Sequence, residues 1–326
     1  MNYSLCKLLF MTPLHAGNSD RASSLDASEM SLCADTLFSA LCCTADIDSG
    51  GAAARELCEW ASEGQLYLSD MMPYHKENFY IPRPYLLPRI QRSDVRADRK
   101  AMKNLKFLPL VDLPDYIAHM TDGSDFSPEG IFSDFGVYDS VAKVSLKGME
   151  VSSPYSVGTF SFDKDCGLYF IMASPCEDIL EKMERLVILL GLSGIGGKVS
   201  SGYGKFRLAE DPYIFDGESA EDGEIRILQR MLSEEFPSYM SITTSLPNGD
   251  EMEKALAGSS YSVRRRGGFV RTRALKSASK KGTQFFLGAG SVFKTKYEGG
   301  MYSVSKNAGH PVLRYSKPIF LGVDHQ

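Results

Sequence analysis

The chain has one tryptophan, five histidines, no run of apolar residues near membrane-spanning length, and no excess of positive charge. A spanning helix needs roughly 18 consecutive apolar residues. No stretch here approaches that, so a helical membrane protein is not expected. The N-terminal residues Met1 to Phe10 carry Lys7 in their middle and lack a basic segment followed by an apolar one, so no secretory signal is expected and the cytoplasmic compartment is. The seven cysteines are odd in number, include no Cys-x-x-Cys spacing, and place Cys42 and Cys43 side by side in an apolar stretch. That usage argues against a disulfide framework or a zinc knuckle and for buried thiols. His75, His119, His310 and His325 form no ligand spacing with one another. No metal and no cofactor are expected.

What is present is an ordinary globular composition, 43% hydrophobic and 24% charged over 326 residues. That length suits two domains, or one with a long insertion. The net charge of −5 conceals a strong segregation. Residues Tyr261 to Gln326 hold 13 lysines and arginines against two acids, Glu298 and Asp324, which leaves 23 basic and 39 acidic groups for the rest of the chain. A second basic island, Arg83, Arg89, Arg92, Arg96, Arg99, Lys100, Lys103 and Lys106, interrupts the acidic portion. Such patches on an acidic body suit a polyanion.

Tyr3 to Phe10 reads as a strand stopped by Thr12-Pro13, followed by a polar loop from His15 to Ser28. Asp35 stands where a helix N-cap belongs, with Leu37, Phe38, Leu41 and Cys42 at helical spacing behind it. Helical signal resumes after Gly50-Gly51 and runs to Trp60. A short strand at Leu66 to Leu68 follows, and Asn78 to Ile81 is placed to return antiparallel to it. Residues 83–155 show no convincing periodicity and read as an insertion. Phe160 and Phe162 then begin a strand, residues 163–167 a turn, and Leu168 to Met172 its hairpin partner. Ser174, Pro175 and Glu177 look like the cap, first-turn proline and capping-box acid of a helix whose apolar stripe runs from Ile179 to Leu190. A glycine-rich loop, 191–204, leads to a strand ending at Leu208. This order fits a decorated split βαβ, or ferredoxin-like, unit of the α+β class over residues 1–215. An acidic linker is expected at 216–235. A mostly β domain is expected at 236–326, with strands at 239–244, 261–273, 285–294 and 301–305 and a short helix at 252–256.

The loop from Gly191 to Lys205 has six glycines in fifteen residues. Bare backbone there can approach a phosphate closely, with Lys198 and Lys205 supplying charge; a purely structural turn is the alternative. It is not a Walker loop, because Leu192 stands where the first glycine belongs and Val199 where a magnesium-binding hydroxyl belongs. It follows a helix and enters a strand, the reverse of a dinucleotide fingerprint. Arg264, Arg265 and Arg266 with Gly267, Gly268, Phe269 and Arg271 suit phosphate contacts with a base stacked on Phe269, or else a solvated strand edge that resists aggregation. His15, on the first loop with Gly17, has the chemistry of a general base for a ribose hydroxyl. Cleavage would further require an acid and a charge stabiliser that the sequence does not identify. Asp35 is explained by capping.

Taken in order, Phe10 to Gly17, Ala34 to Leu41 (Ala-Asp-Thr-Leu-Phe-Ser-Ala-Leu), Leu68 to Asp70 running on to Pro82-Arg83-Pro84, Gly194 to Lys205, Ala289 to Lys294, and His310-Pro311-Val312 with Lys317-Pro318 resemble one family. It is the fourth subunit of the Csm effector complex of type III-A CRISPR-Cas systems, within the RAMP superfamily. The resemblance implies two ferredoxin-like, RRM-like domains and a non-catalytic subunit that holds the 5' repeat-derived handle of the CRISPR RNA. The partners it implies are the large polymerase-cyclase-like subunit and the backbone RAMP subunit. It implies that Gly194, Gly196, Gly197, Lys198, Ser200, Ser201, Gly202, Tyr203, Gly204 and Lys205, with His15, Gly17, Arg264, Arg265, Arg266 and Phe269, face the RNA. The insertion then resembles a thumb wedged between guide and target RNA, its basic patch formed by Arg83, Arg89, Arg92, Arg96, Arg99, Lys100 and Lys103. A metal-independent repeat endoribonuclease using His15 is the alternative the superfamily suggests. The target-cutting aspartate of such complexes belongs to the backbone subunit and is not transferred to Asp35.

Overall fold

A computed structural model describes residues 1–17, 25–87, 102, 104–145, 153–215, 223–270, 279–305 and 311–325. The central strands are β1 (Asn2–Phe10) and β8 (Cys166–Ser174), antiparallel with Tyr3 opposite Ala173 and Leu8 opposite Leu168. All nine residues of β8 are buried, as expected of a strand covered on both faces. Its alternation assigns the faces. Leu168, Phe170 and Met172 enter one core with helices α1 (Ala34–Ser49), α2 (Gly51–Ser62) and, from later in the chain, α4 (Glu177–Ser193). Tyr169, Ile171 and Ala173 enter a second core, shared with the C-terminal half.

Outward from β8 the sheet continues through β3 (Met72–His75), β4 (Asn78–Pro82) and β5 (Phe107–Pro109), while β2 (Tyr67–Leu68) also pairs with β8. Beyond β1 lie β9 (Phe206–Leu208) and β10 (Tyr213–Ile214). Every pairing is antiparallel, and the strand that follows α4 returns to the free side of β1, the connectivity of a split βαβ unit. Asn78–Pro82 returns on β3 and not on residues 66–68, because the two-residue turn Lys76-Glu77, with Lys76 at φ 55°, sets Asn78 opposite His75.

The insertion is more ordered than its lack of periodicity predicts. It contributes β5, helix α3 (Leu113–Asp122) and β6 (Gly136–Ser145), and β6 pairs with β7 (Ser153–Phe162) over ten residues of register. Phe160 therefore faces Tyr138 across this hairpin and not a residue of 168–172. The physical reason is competition, since both edges of β8 are already taken by β1 and by β2 and β3. A bridge between Leu14 and Phe160 fastens the hairpin to the first loop.

In the C-terminal half, β11 (Ser238–Ser241) lies between β16 (Val292–Phe293) and β19 (Phe320–Val323). Ribbons are formed by β12 (Val263–Arg266) with β15 (Gln284–Leu287), β13 (Phe269–Val270) with β14 (Ser279–Lys280), and β17 (Gly300–Ser305) with β18 (Val312–Ser316). The short helix α6 spans Met252–Leu256 as expected. The strand anticipated over 261–273 is broken at Gly268 (φ 118°), and the one over 285–294 at Gly290 (φ 92°). Residues 223–233 of the expected linker are instead helix α5 (Gly223–Ser233), which buries Ile225, Leu228, Met231 and Leu232 in the second core beside Met240, Val292 and Leu321. Those four residues recur at helical spacing, so the acidic surroundings mask an amphipathic helix. That core holds residues of both halves, so this segment is packed structure and not a tether.

Among the described residues no helix is long and apolar enough to cross a membrane. The cysteines are all free thiols; Cys6, Cys33 and Cys166 are buried as expected, but Cys176 is exposed at the start of α4.

Candidate nucleic-acid interface

The glycine-rich loop begins where α4 ends and is sewn to the first loop of the chain. Gly197 donates its N–H to the His15 carbonyl at 2.8 Å, Gly204 to Pro13 at 2.8 Å, and Lys205 to Thr12 Oγ1 at 2.9 Å, while Ile195 donates to the Gly204 carbonyl at 2.9 Å. Two glycines are required by this closeness. A Cβ on Gly204, whose φ is +71°, would sit 1.9 Å from the Ile195 carbonyl oxygen, and one on Gly197 would sit 2.5 Å from the His15 ring. Much of the glycine content is therefore structural, serving close backbone approach.

The loop is nevertheless open at one place. Lys198 adopts the left-handed conformation (φ 57°, ψ 25°) and leads into a single 3-10 turn, Val199–Ser201, in which Ser201 donates to the Lys198 carbonyl and Gly202 to that of Val199. The amides of Lys198, Val199 and Ser200 have no acceptor among the described residues. Three successive amides in this geometry form a concavity suited to an anion. Ser200, Ser201 and Lys205 are exposed around it, and Lys198, Gly202 and Tyr203 are half-buried.

The β6–β7 hairpin lies against this loop. Lys143 Nζ is 4.3 Å from the centroid of the Tyr203 ring, and Lys198 Nζ is 4.8 Å from that of Tyr155. Lys143 and Tyr155 are direct cross-strand partners. Neither was singled out in the sequence, because the signal that would have found them, their shared face on a hairpin, depends on the β6–β7 pairing.

His15 does not line an open site. It is 5% exposed, and Nδ1–H donates to the Gly158 carbonyl at 2.6 Å. Its position explains why His, and not a smaller residue, follows Leu14: the ring spans the gap between the glycine-rich loop and the hairpin. Gly17 is exposed.

The triple arginine is divided by strand alternation. Arg264 and Arg266 lie opposite Phe286 and Gln284, Arg265 opposite Phe285. The Arg266 guanidinium is paired with the Asp35 carboxylate and donates to Thr36 Oγ1 at 3.0 Å; Arg314 stands 3.6 Å from Asp35 and donates to the Arg266 and Gly267 carbonyls at 2.7 and 2.9 Å. Burial disfavours the charge on Arg266, and the Asp35 carboxylate outweighs it, so the guanidinium pKa is raised. Arg266 is thus engaged by the protein's own acid, and one expectation is corrected: Asp35 does not cap α1. The cap position is Cys33, and the Ala34 N–H is accepted by Asp70 Oδ1 at 2.8 Å. Arg265, Phe269 and Phe285 face outward, the two phenylalanines 60% and 62% exposed.

Arg264 instead reaches a cleft between the halves, where Met30, Asp70, Met72, Arg83, Tyr85 and Lys106 also contribute walls. Burial lifts the Asp70 carboxyl above the ordinary carboxylate range against the hydrogen bonds from Thr244 Oγ1 (2.6 Å), Ala34 and the Thr244 amide (3.0 Å). Of the basic island, Arg83 is a packing residue, donating from Nε to the Leu105 carbonyl at 2.9 Å and from Nη1 to the Tyr116 hydroxyl at 3.0 Å. Arg89, Arg92, Arg96, Arg99, Lys100 and Lys103 lie outside the described residues. No group of three or more potential metal ligands is found among the described residues.

Comparison with known proteins is consistent along the chain. Residues 234–323 match the family described as the CRISPR Csm4 C-terminal domain. The protein "CRISPR system Cms protein Csm4" of Mycobacterium tuberculosis H37Rv is 33% identical over 301 residues, 92% of each chain. Its Streptococcus thermophilus namesake is 28% identical over 332 residues, covering 99% of this chain and all of that one. Among solved structures, a chain of a Csm3–Csm4 subcomplex from the type III-A interference complex superposes with a TM-score of 0.62 at 15% identity, covering 99% of this chain and all of that one. A chain of a Csm1–Csm4 cassette with AMPPNP gives 0.60 at 18%, covering 100% of this chain and 99% of that one. These structural likenesses establish a shared fold.

Proposed function

The chain belongs to the Csm4 family, and from that premise we propose that it is a non-catalytic RNA-binding subunit of a type III-A CRISPR interference complex. In this reading it grips the 5' repeat-derived handle of the CRISPR RNA and docks on the large polymerase-cyclase-like subunit and the backbone RAMP subunit. The observation that carries the RNA-binding part is the concavity at Lys198, Val199 and Ser200, three amides without acceptors among the described residues, beside the Lys198 and Lys205 side chains. A phosphate diester offers acceptors that fill such a site, whatever the base attached to it. Support for the partners comes from the solved chains of the same fold, which sit in Csm1–Csm4 and Csm3–Csm4 assemblies.

The insertion is the thumb of this proposal, near target RNA, and its strand β6 pairs with β7 beside the loop. Both halves are read as variants of the ferredoxin-like unit, the first in the strand order β9-β1-β8-β3 and the second reduced to β16-β11-β19 with α5 packed on it. The absence of turnover is supported by His15, whose Nδ1 is committed to the Gly158 carbonyl and whose ring is buried. A general base must reach the proton it removes.

The test is to co-express the chain with its operon neighbours and a CRISPR array, purify the assembly through this subunit, and sequence the RNA. A single population sharing one repeat-derived 5' end is expected, uncut on incubation. Host RNA of random sequence, or cleavage that survives EDTA and is lost in His15→Ala, would overturn the proposal.

A further inference from the structure

The two lysine–tyrosine contacts between hairpin and loop are reciprocal. The hairpin supplies Lys143 to the loop's Tyr203, and the loop supplies Lys198 to the hairpin's Tyr155. Because Lys143 and Tyr155 are opposite each other in the β6–β7 ladder, their Cβ atoms are about 5 Å apart on one face, so the four side chains form a single cluster. All four are half-buried and none is enclosed. The cluster adjoins the open amides of Lys198 to Ser200, so a phosphate bound there would lie within reach of the Lys198 ammonium.

A cation over a half-exposed ring is worth about 0.5–1 kcal/mol, less than a base stacked on an aromatic at about 1–3 kcal/mol. A strand of RNA can thus replace both contacts at a net gain, its phosphates taking the ammonium groups and its bases the rings.

We infer that Lys143, Tyr155, Lys198 and Tyr203 form one single-stranded RNA subsite, closed on itself by the two cation–π contacts until RNA exchanges into both. The inference rests on the RNA-binding reading above and adds to it the hairpin residues and the exchange. It makes the hairpin's position depend on RNA: seated on the loop without it, and held through a base and a phosphate with it.

The experiment uses the full chain with a short single-stranded RNA of repeat-derived sequence carrying 4-thiouridine at successive positions. Irradiation should give adducts on Tyr155 or Tyr203. Binding by Tyr155→Ala or Tyr203→Ala should weaken about tenfold, with Tyr155→Phe close to wild type, and Lys143→Ala should lower the slope of log affinity against log salt by about 0.7. Adducts confined to other residues, with the affinities and slopes of these variants unchanged while wild type still binds, overturn the subsite and leave the RNA-binding reading standing. Failure of wild type to bind any RNA overturns both. The adduct measurement requires no substitution, so it decides the matter even where a variant fails to fold.

Discussion

The triple-arginine ribbon and the glycine-rich loop look alike in sequence, each a run of cations and glycines, yet they use their charge in opposite directions. On the ribbon, strand alternation turns Arg266 inward onto Asp35, where Arg314 joins it, and leaves Arg265 and Phe285 outside. On the loop, backbone contacts spend many of the amides internally but leave those of Lys198, Val199 and Ser200 without acceptors among the described residues. The lesson is that charge count locates a polyanion surface only after the protein's own acids have claimed their share. One aspartate at position 35 converts part of the most basic stretch of the chain into a clasp between α1 and the C-terminal half.

The sharpest way to break this contrast is to remove the clasp. Asp35→Ala takes the shared carboxylate from the Arg266 and Arg314 guanidinium groups and should cost about 3–5 kcal/mol, read as a fall in the free energy of urea unfolding. If stability is unchanged, Arg266 is free for a ligand and the contrast collapses. Next in size is Gly204→Ala, which forces a side chain into the Ile195 carbonyl. Strain of about 1–3 kcal/mol is expected, with loss of RNA affinity exceeding the loss of stability if the loop is the RNA seat. The outward residue of the ribbon sharpens the comparison from the other side: Arg265→Ala should leave unfolding within about 0.5 kcal/mol of wild type and lower the RNA salt slope by about 0.7.

The smallest effect concerns pH. The Asp70 carboxyl, raised by burial, holds its proton more tightly in the folded state. The stability it contributes is therefore fully present below the ordinary carboxylate pKa and is lost as pH rises through the folded one. Asp70→Asn should flatten that part of the acid limb of a stability–pH curve, whereas Arg265→Ala should not alter it.

The contrast also marks what could be read from the residues alone. The β1 strand, the α1 and α4 helices and the glycine-rich loop were legible because apolar spacing and glycine content are local. The α4 helix starts two residues later than its capping signal implies, at Glu177, with Ser174 Oγ accepting the Cys176 N–H at 3.1 Å. The β6–β7 hairpin was not legible, since β6 has no buried residue from Val137 to Val144 and its pairing spans residues 136 to 162. Helix α5 was hidden by its acidic context although its buried residues keep helical spacing. At the site, Lys198, Lys205 and the loop glycines could be named from composition. Lys143 and Tyr155 could not, because their meeting with Lys198 and Tyr203 is a tertiary fact. The cap role of Asp35 was misassigned, and the packing of His15 could not be singled out, for the same reason: each has a partner far away in sequence, Arg266 and Gly158 respectively.

The central claim, that RNA is held by the loop face, is tested most directly by the salt dependence of RNA affinity for wild type and for Lys198→Ala/Lys205→Ala. Two lost phosphate contacts on a single strand should reduce the slope by about 1.4, with the unfolding free energy lowered by no more than about 1 kcal/mol through the lost Lys198–Tyr155 contact. A slope equal to that of wild type would contradict the account and move the RNA to another surface.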